Sequence, residues 1–311
     1  MIVVENLRKE YGSFRAVDGI SFSVNAGETF ALLGPNGAGK TTTIEILEGY
    51  RSRDGGKVTV AGRDPGRPAE LQRLRHEVGI LLQRTALEPE LTVLETVEGF
   101  RRYYDRPIAA RAALDLVTLS DLVDKRVGTL SGGQLRRLDI ALSVIGQPKV
   151  LFLDEPTTGL DPGARRRIWQ LIRRLNEHGT TIVLSSHYLE EVEALADRLI
   201  VLSAGKIVAT GSPASLRENF SAESIVRVNE AEARLLDLLP ADLARRAVRK
   251  EQWLEFRTND PTPVIHALSE TANRHSRSLR TLVVARPSLE DFYLELVDRE
   301  EVGHEETEDA L

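Results

Sequence analysis

The chain has no cysteine among its 311 residues. That excludes disulfides, Cys-ligated zinc, iron–sulfur clusters and thiol catalysis; a reducing, cytosolic setting fits. It also lacks any apolar run near the ~20 residues that a membrane-crossing helix needs. Its start, Met1-Ile2-Val3-Val4-Glu5-Asn6, has neither the basic flank nor the long apolar core of a signal peptide. Work at a membrane is therefore expected to be that of a peripheral subunit. An excess of positive charge is missing too. With a net charge of −6, nucleic acid is not expected as a main partner, because phosphate neutralisation needs clustered Lys and Arg. Lysine is scarce, since nearly all basic residues are Arg, and no function attaches to that. No internal repeat is visible. At 41% hydrophobic and 28% charged residues the composition is that of an ordinary globular protein. The length accommodates one large domain and one small one.

Short strands separated by turns are expected over residues 2–31, with a strand at 28–33 running straight into a glycine-rich loop. A helix follows at 41–48. A turn-rich stretch at 51–67 surrounds a short strand at 57–60. Thr92-Val93-Leu94-Glu95 has capping-box spacing and opens a helix through 104, with further helical patterning over 111–123. Ser131 can N-cap the next helix, in which Leu135, Leu138, Leu142 and Ile145 fall at helical spacing. Buried strands are expected at 150–153 and 180–184, helices at 162–177 and 188–197, and a hairpin around Ser203-Ala204-Gly205. Strand alternating with helix around such a loop predicts an α/β domain with a largely parallel core sheet. Beyond 220 the pattern changes. Strand 224–228, helix 230–238, strands 246–250 and 253–257, helix 263–275, strand 279–285 and helix 289–297 predict a small βαββαβ-like α+β module with an extra helix. The acidic tail, 299–311, is expected to be disordered.

Three motifs carry chemistry. Gly34-Pro35-Asn36-Gly37-Ala38-Gly39-Lys40-Thr41 fits the P-loop pattern in its required strand–loop–helix context. Glycines let backbone N–H groups turn inward around phosphate oxygens, and the helix N-terminus adds partial positive charge. Lys40 is expected to reach the β- and γ-phosphates of a nucleoside triphosphate, and Thr41 to ligate Mg2+. Asp154 and Glu155 end an apolar strand aimed at the same loop. The first suits Mg2+, the second the attacking water. At Leu130-Ser131-Gly132-Gly133-Gln134 a capping serine and two glycines open a helix, which is a second anion-binding terminus. A single P-loop site has no use for it, so the site is expected to be completed by a second subunit.

Together these motifs resemble the ATP-binding cassette (ABC) ATPases, the motor subunits of ABC transporters. The resemblance covers roughly residues 1–220 and has seven elements in family order. It implies a P-loop NTPase domain with an antiparallel β subdomain and a helical subdomain at about 84–145; the α+β module read from the residue pattern then forms an accessory domain at 221–298. Tyr11 then matches the aromatic that stacks on adenine. Gly34 to Thr42 match the Walker A loop, and Gln83 matches the Q-loop glutamine that contacts Mg2+ and senses the membrane subunit. Leu130 to Gln134 match the signature motif. Val150 to Glu155 match Walker B, with Glu155 as catalytic carboxylate. Asp161 matches the D-loop at the dimer seam, and His187 the switch histidine at the γ-phosphate. In such proteins two cassettes pair head to tail, each ATP lying between one P-loop and the other subunit's Ser131-Gly132-Gly133.

The stretch Leu135-Arg136-Arg137-Leu138-Asp139-Ile140-Ala141-Leu142 resembles the ABC-2 exporter branch. Arg286-Pro287-Ser288-Leu289-Glu290-Asp291-Phe292-Tyr293 resembles the tail motif of daunorubicin-resistance-type ATPases. The resemblance implies a drug or antibiotic exporter motor on the cytoplasmic face of the plasma membrane. It would be a homodimer serving a separate transmembrane permease, with docking through Gln83 and residues 85–123. A non-transport ABC ATPase, as in DNA repair or translation, is the alternative. It is opposed by the single cassette, the lack of room for a long coiled coil, and the absent cysteines. A degenerate, binding-only cassette is opposed by the presence of Glu155 and His187.

Overall fold

β3, Thr29–Leu33, is five residues long and buried throughout, so its backbone groups must be paired inside the protein rather than by water. The computed structural model, which describes residues 1–81, 86–220, 223–229 and 236–285, places it inside a six-stranded sheet. The other strands are β5 (Val78–Leu81), β6 (Val150–Asp154), β7 (Thr181–Ser186), β8 (Arg198–Ser203) and β9 (Lys206–Gly211), in the order β5-β6-β7-β3-β8-β9. All pairings are parallel except the β8–β9 hairpin. β6 and β7 are also buried along their whole length, which explains their unbroken apolar runs. A second sheet, β2-β1-β4, is antiparallel. It consists of β1 (Ile2–Tyr11), β2 (Phe14–Val24) and β4 (Gly55–Val60), and β1 buries Ile2, Val4 and Leu7. The two sheets share one apolar cluster, in which Phe22 stacks on Phe30 at 5.3 Å.

α1, Lys40–Glu48, leaves the P-loop and ends at Gly49, whose φ of 80° closes the helix in the left-handed conformation that glycine tolerates. α2, Pro68–Leu74, has no counterpart in the sequence reading, and only its Leu74 is buried. Too short for an apolar stripe to show, it is marked only by proline at its first turn. β5 was likewise too short to read. α3, Val93–Arg101, begins at the Thr92–Glu95 capping box as expected, but it stops before Tyr104. The helical patterning over 111–123 is corrected: α4 spans only Ala110–Leu116. There Thr118 takes φ 55°, and Leu119 N–H bonds back to Leu114 O, so buried Val117 and Leu119 fill the core from a turn. α5 (Gly132–Val144), α6 (Pro162–Glu177) and α7 (Leu189–Leu195) complete this part.

The chain divides into two units, Met1–Pro213 and Ala214–Leu311. In the second, β10 (Ser224–Asn229), β11 (Val248–Lys250), β12 (Trp253–Thr258) and β13 (Leu282–Ala285) form an antiparallel sheet in the order β11-β12-β10-β13. That order is the split βαβ arrangement expected of a βαββαβ module. The helix Pro261–Arg274 contributes Val264, Leu268 and Ala272 to the core built on Leu254 and Phe256. A helix at Ala241–Arg246 stands just before the second strand, so that strand starts at Val248 rather than at 246. Most of the helix expected at 230–238 lies outside the described residues. So do the helix expected at 289–297 and the acidic tail. No described helix is long and apolar enough to cross a membrane.

Glu48 closes α1 as a buried carboxyl, 5% exposed. Burial, with the nearby charges of Asp154 and Glu45, pushes it up to about 8 from an ordinary 4.5. A raised carboxyl binds its proton in the folded state where the unfolded chain has lost it. The protein should therefore lose stability as pH rises from about 4.5 to about 8. Glu48→Gln should remove that slope, gaining on the order of 3 kcal/mol over wild type between pH 5 and pH 8. Urea unfolding of both proteins across that range checks it, and parallel curves would refute it.

Candidate functional site

The P-loop turns between the end of β3 and the start of α1, and its glycines are there for space and φ. A Cβ on Gly34 would lie 2.3 Å from Leu202 O. One on Gly39, whose φ is 99°, would lie 2.3 Å from Ala16 O. Ala38 is buried and bonds back to Pro35 O at 3.2 Å, while Asn36 and Gly37 are exposed. α1 has no side-chain cap and no acidic residue in its first turn. Its first N–H groups therefore lack partners within the helix and are left for an anion. Lys40 is 5% exposed and donates through Nζ to Gly34 O at 2.7 Å and Pro35 O at 2.9 Å. Burial lowers its pKa, while the charges of Glu155 and Asp154 oppose that fall.

Parallel pairing brings the carboxylates to the same place. β6 runs beside β7 with Asp154 opposite Ser185, and β7 runs beside β3, which feeds the P-loop. Asp154 Oδ2 lies 3.4 Å from Thr41 Oγ1, and Ser185 donates its hydroxyl to Asp154 Oδ1. Burial raises the Asp154 pKa; the Ser185 hydrogen bond works the other way. Glu155 takes φ 46°, unusual for a residue with a Cβ. Its backbone N–H donates to Ser185 Oγ at 3.1 Å and its Oε2 accepts from Thr158 Oγ1 at 3.0 Å. Its Oε1 lies 3.1 Å from His187 Nδ1. A cavity of about 220 Å3 is lined by Tyr11, Phe14, Ala16, Asn36, Gly37, Gly39, Lys40, Thr41, Thr42 and Glu155. At its rim Tyr11 is 41% exposed, with Lys9 Nζ 5.4 Å and Arg51 Cζ 5.3 Å from the ring centre.

Of the residues singled out in the sequence, the structure thus gathers Tyr11, the P-loop, Thr41, Thr42, Asp154, Glu155 and His187. Ser131, Gly132 and Gln134 do not line this cavity. Ser131 Oγ accepts from Gln134 N–H at 3.3 Å, and Gln134 Oε1 accepts from Ser131 N–H at 3.0 Å, a completed capping box at the exposed start of α5. Gly133 admits α6 closely, since a Cβ there would sit 3.1 Å from Ala164 Cβ. Asp161 is exposed and caps α6 by accepting from Ala164 N–H at 2.9 Å, which holds its carboxyl below the usual range. Gln83 lies outside the described residues. Phe14 and Ala16 line the cavity and Ser185 bonds to Asp154 without any expectation from the sequence. A serine before His187 and small residues on a strand carry no spacing signal until the fold brings them to the loop.

The fold and this site define a P-loop nucleotide triphosphatase of the cassette type. The family model for ABC transporters matches residues 17–158. The chain is 39% identical to the Nod factor export ATP-binding protein I of Ralstonia nicotianae over 96% of its length and 94% of that protein's. It is 34% identical to the linearmycin resistance ATP-binding protein LnrL of Bacillus subtilis, over 96% of its own length and 99% of the relative's. Among solved structures it is similar to an ATP-binding cassette in a dimeric post-hydrolysis state with ADP and Pi (27% identity, TM-score 0.61, 68% of this chain and 98% of that one). It is also similar to CbiO1 of Clostridium perfringens, part of an ABC transporter complex (30% identity, TM-score 0.64, 69% and 89% covered). The chain belongs to the ABC transporter ATP-binding proteins and is an ATPase.

Ser185→Ala would leave a buried Asp154 oxygen and the Glu155 N–H without their shared partner. It should lower stability by about 1–3 kcal/mol, measured by thermal unfolding. Unchanged stability would mean that the hydroxyl bridge is not a net contributor.

Proposed function

We propose that this chain is the motor of an exporter for drug- or antibiotic-like compounds. It works as a homodimer with two ATP molecules at its seam and drives a separate membrane permease from the cytoplasmic face of the plasma membrane. The observation that carries the hydrolytic part is the convergence of Lys40, Thr41, Asp154, Glu155 and His187 at the mouth of one anion-ready helix terminus. Export is supported by relatives named for Nod factor export and linearmycin resistance, matched over almost the whole chain. A repair or translation role has no such support.

In this reading P-loop N–H groups from Gly34 to Thr42 wrap the phosphates, Lys40 leaves its carbonyl partners for them, and Tyr11 stacks on adenine. The Thr41 hydroxyl and the Asp154 carboxylate are hard oxygen donors facing one another, which suits Mg2+. Among the described residues no cluster of three His, Cys, Asp or Glu forms a self-contained metal site, as suits an ion held partly by the nucleotide. When bound, Mg2+ neutralises phosphate charge. Gln83 joins that set by resemblance. Glu155 accepts a proton from the attacking water, and His187, already beside it, reaches toward the γ-phosphate. Across the seam, the second subunit's exposed Ser131-Gly132-Gly133 terminus and Asp161 close the site, with Gln134 holding that terminus in shape.

The permease docks beside Gln83 and the helices of residues 85–123. A cavity of about 340 Å3 opens between α1 and α3, bordered by Glu48, Tyr50, Arg75, Phe100 and Tyr104. Tyr50 and Phe100 are exposed on its border and Tyr103, exposed, meets Phe100 edge-on, an apolar patch of the kind that marks an interface.

Glu155→Gln should bind ATP, lose about 100-fold or more in turnover, and accumulate as an ATP-bound dimer in sedimentation velocity. Wild-type turnover would remove Glu155 from its role. Tyr103→Glu should weaken co-purification with the membrane subunit while ATP hydrolysis by the free chain stays unchanged. Intact assembly would refute the docking surface.

A further inference from the structure

Arg136 lies on α5, five residues beyond the Ser131 cap, or about 7.5 Å along the helix axis. Its side chain is half-buried. It reaches the loop that leaves β6, donating through Nε to Pro156 O at 2.8 Å and through Nη2 to Asp154 O and Glu155 O, both at 3.2 Å. One planar fork thus holds three consecutive carbonyls. The middle one belongs to Glu155, whose φ of 46° a residue with a side chain adopts only when its surroundings impose it. The far side of the loop is held as well. Thr157 is fully buried and donates to Glu191 Oε1 at 2.7 Å, an oxygen that also accepts from Trp169 Nε1 at 3.0 Å. Burial pulls the Arg136 pKa down, while the charges of Asp139, Asp154 and Glu191 offset the fall.

We propose that Arg136 is a positioning residue that ties the catalytic carboxylate of a subunit to the helix whose tip receives the neighbour's nucleotide. It rests on the paired-site reading above. When α5 closes on the neighbour's ATP, the rigid helix carries Arg136 with it, and the three carbonyls follow. The Glu155 peptide is then held in the conformation that aims its carboxylate at the water in its own site. Each nucleotide thereby prepares the opposite site, which makes hydrolysis cooperative in ATP. Without the fork, Glu155 relaxes toward ordinary φ and its carboxylate leaves the line of attack.

The test is Arg136→Gln in the full chain, with Arg136→Lys as the second variant because it keeps the charge and loses only the fork. Arg136→Gln should lower kcat about 10- to 100-fold with KM for ATP nearly unchanged, and should abolish the sigmoidal dependence on ATP. Arg136→Lys should recover part of kcat and little of the sigmoidicity. In the Glu155→Gln background, Arg136→Gln should still dimerise with ATP in sedimentation velocity, and peptides spanning 153–158 should exchange amide hydrogen faster. A wild-type kcat and ATP dependence in both variants would overturn the proposal. So would loss of ATP-driven dimerisation, which would assign Arg136 to the seam itself. If Glu155→Gln alone fails to dimerise with ATP, the paired-site reading falls instead, and kcat together with amide exchange still judges whether Arg136 positions Glu155.

Discussion

The site depends on the parallel registration of three buried strands. β6, β7 and β3 lie side by side with Asp154, Ser185 and Leu32 in one row, so their carboxyl ends emerge together. None of these strands can satisfy its backbone from solvent, and because both faces are buried a slip of one residue would exchange the side chains packed on each face and break their fit with the neighbouring elements. The core therefore enforces the registration, and the chemistry inherits it. Ser185 is placed to bridge the Asp154 carboxylate and the Glu155 N–H because packing leaves the strands no other alignment.

That convergence creates an electrostatic problem that the structure resolves locally. A buried ammonium and two carboxylates share one small region, and burial disfavours the charge of Lys40 and of Asp154 alike. Each is held by hydrogen bonds as well as by the opposite charge. Lys40 rests on two P-loop carbonyls and Asp154 on two hydroxyls. The helix terminus beside them has no side-chain cap and no acidic residue in its first turn. An incoming polyphosphate meets backbone donors that the loop has already oriented, while Lys40 exchanges its two carbonyl partners for phosphate oxygens.

The start of α5 is different in kind. Its capping box is complete, its serine is exposed, and its partners lie within its own first turn. Such an end is finished as structure and open as an anion site, which suits a surface that meets another subunit's nucleotide. Arg136 extends the same helix inward to the loop after β6, so one rigid element links an exposed helix start to the carbonyls around Glu155.

Much of this was legible in the residues. Gly34 to Thr41 dictate a phosphate loop because only glycine fits at Gly34 and Gly39. The apolar run before Asp154 formed the buried strand it is typical of, and the capping boxes at Thr92 and Ser131 formed as their spacing required. Short-range chemistry decides such features, so sequence alone determined them. What it could not reach were contacts between residues far apart in the chain and the elements too short to show a period. α2, β5, the early end of α4, the Ser185 bridge and the grip of Arg136 on three carbonyls are of that kind. The tertiary structure alone decided them, because a hydroxyl or a guanidinium acquires its role only when packing brings a distant partner within hydrogen-bond reach.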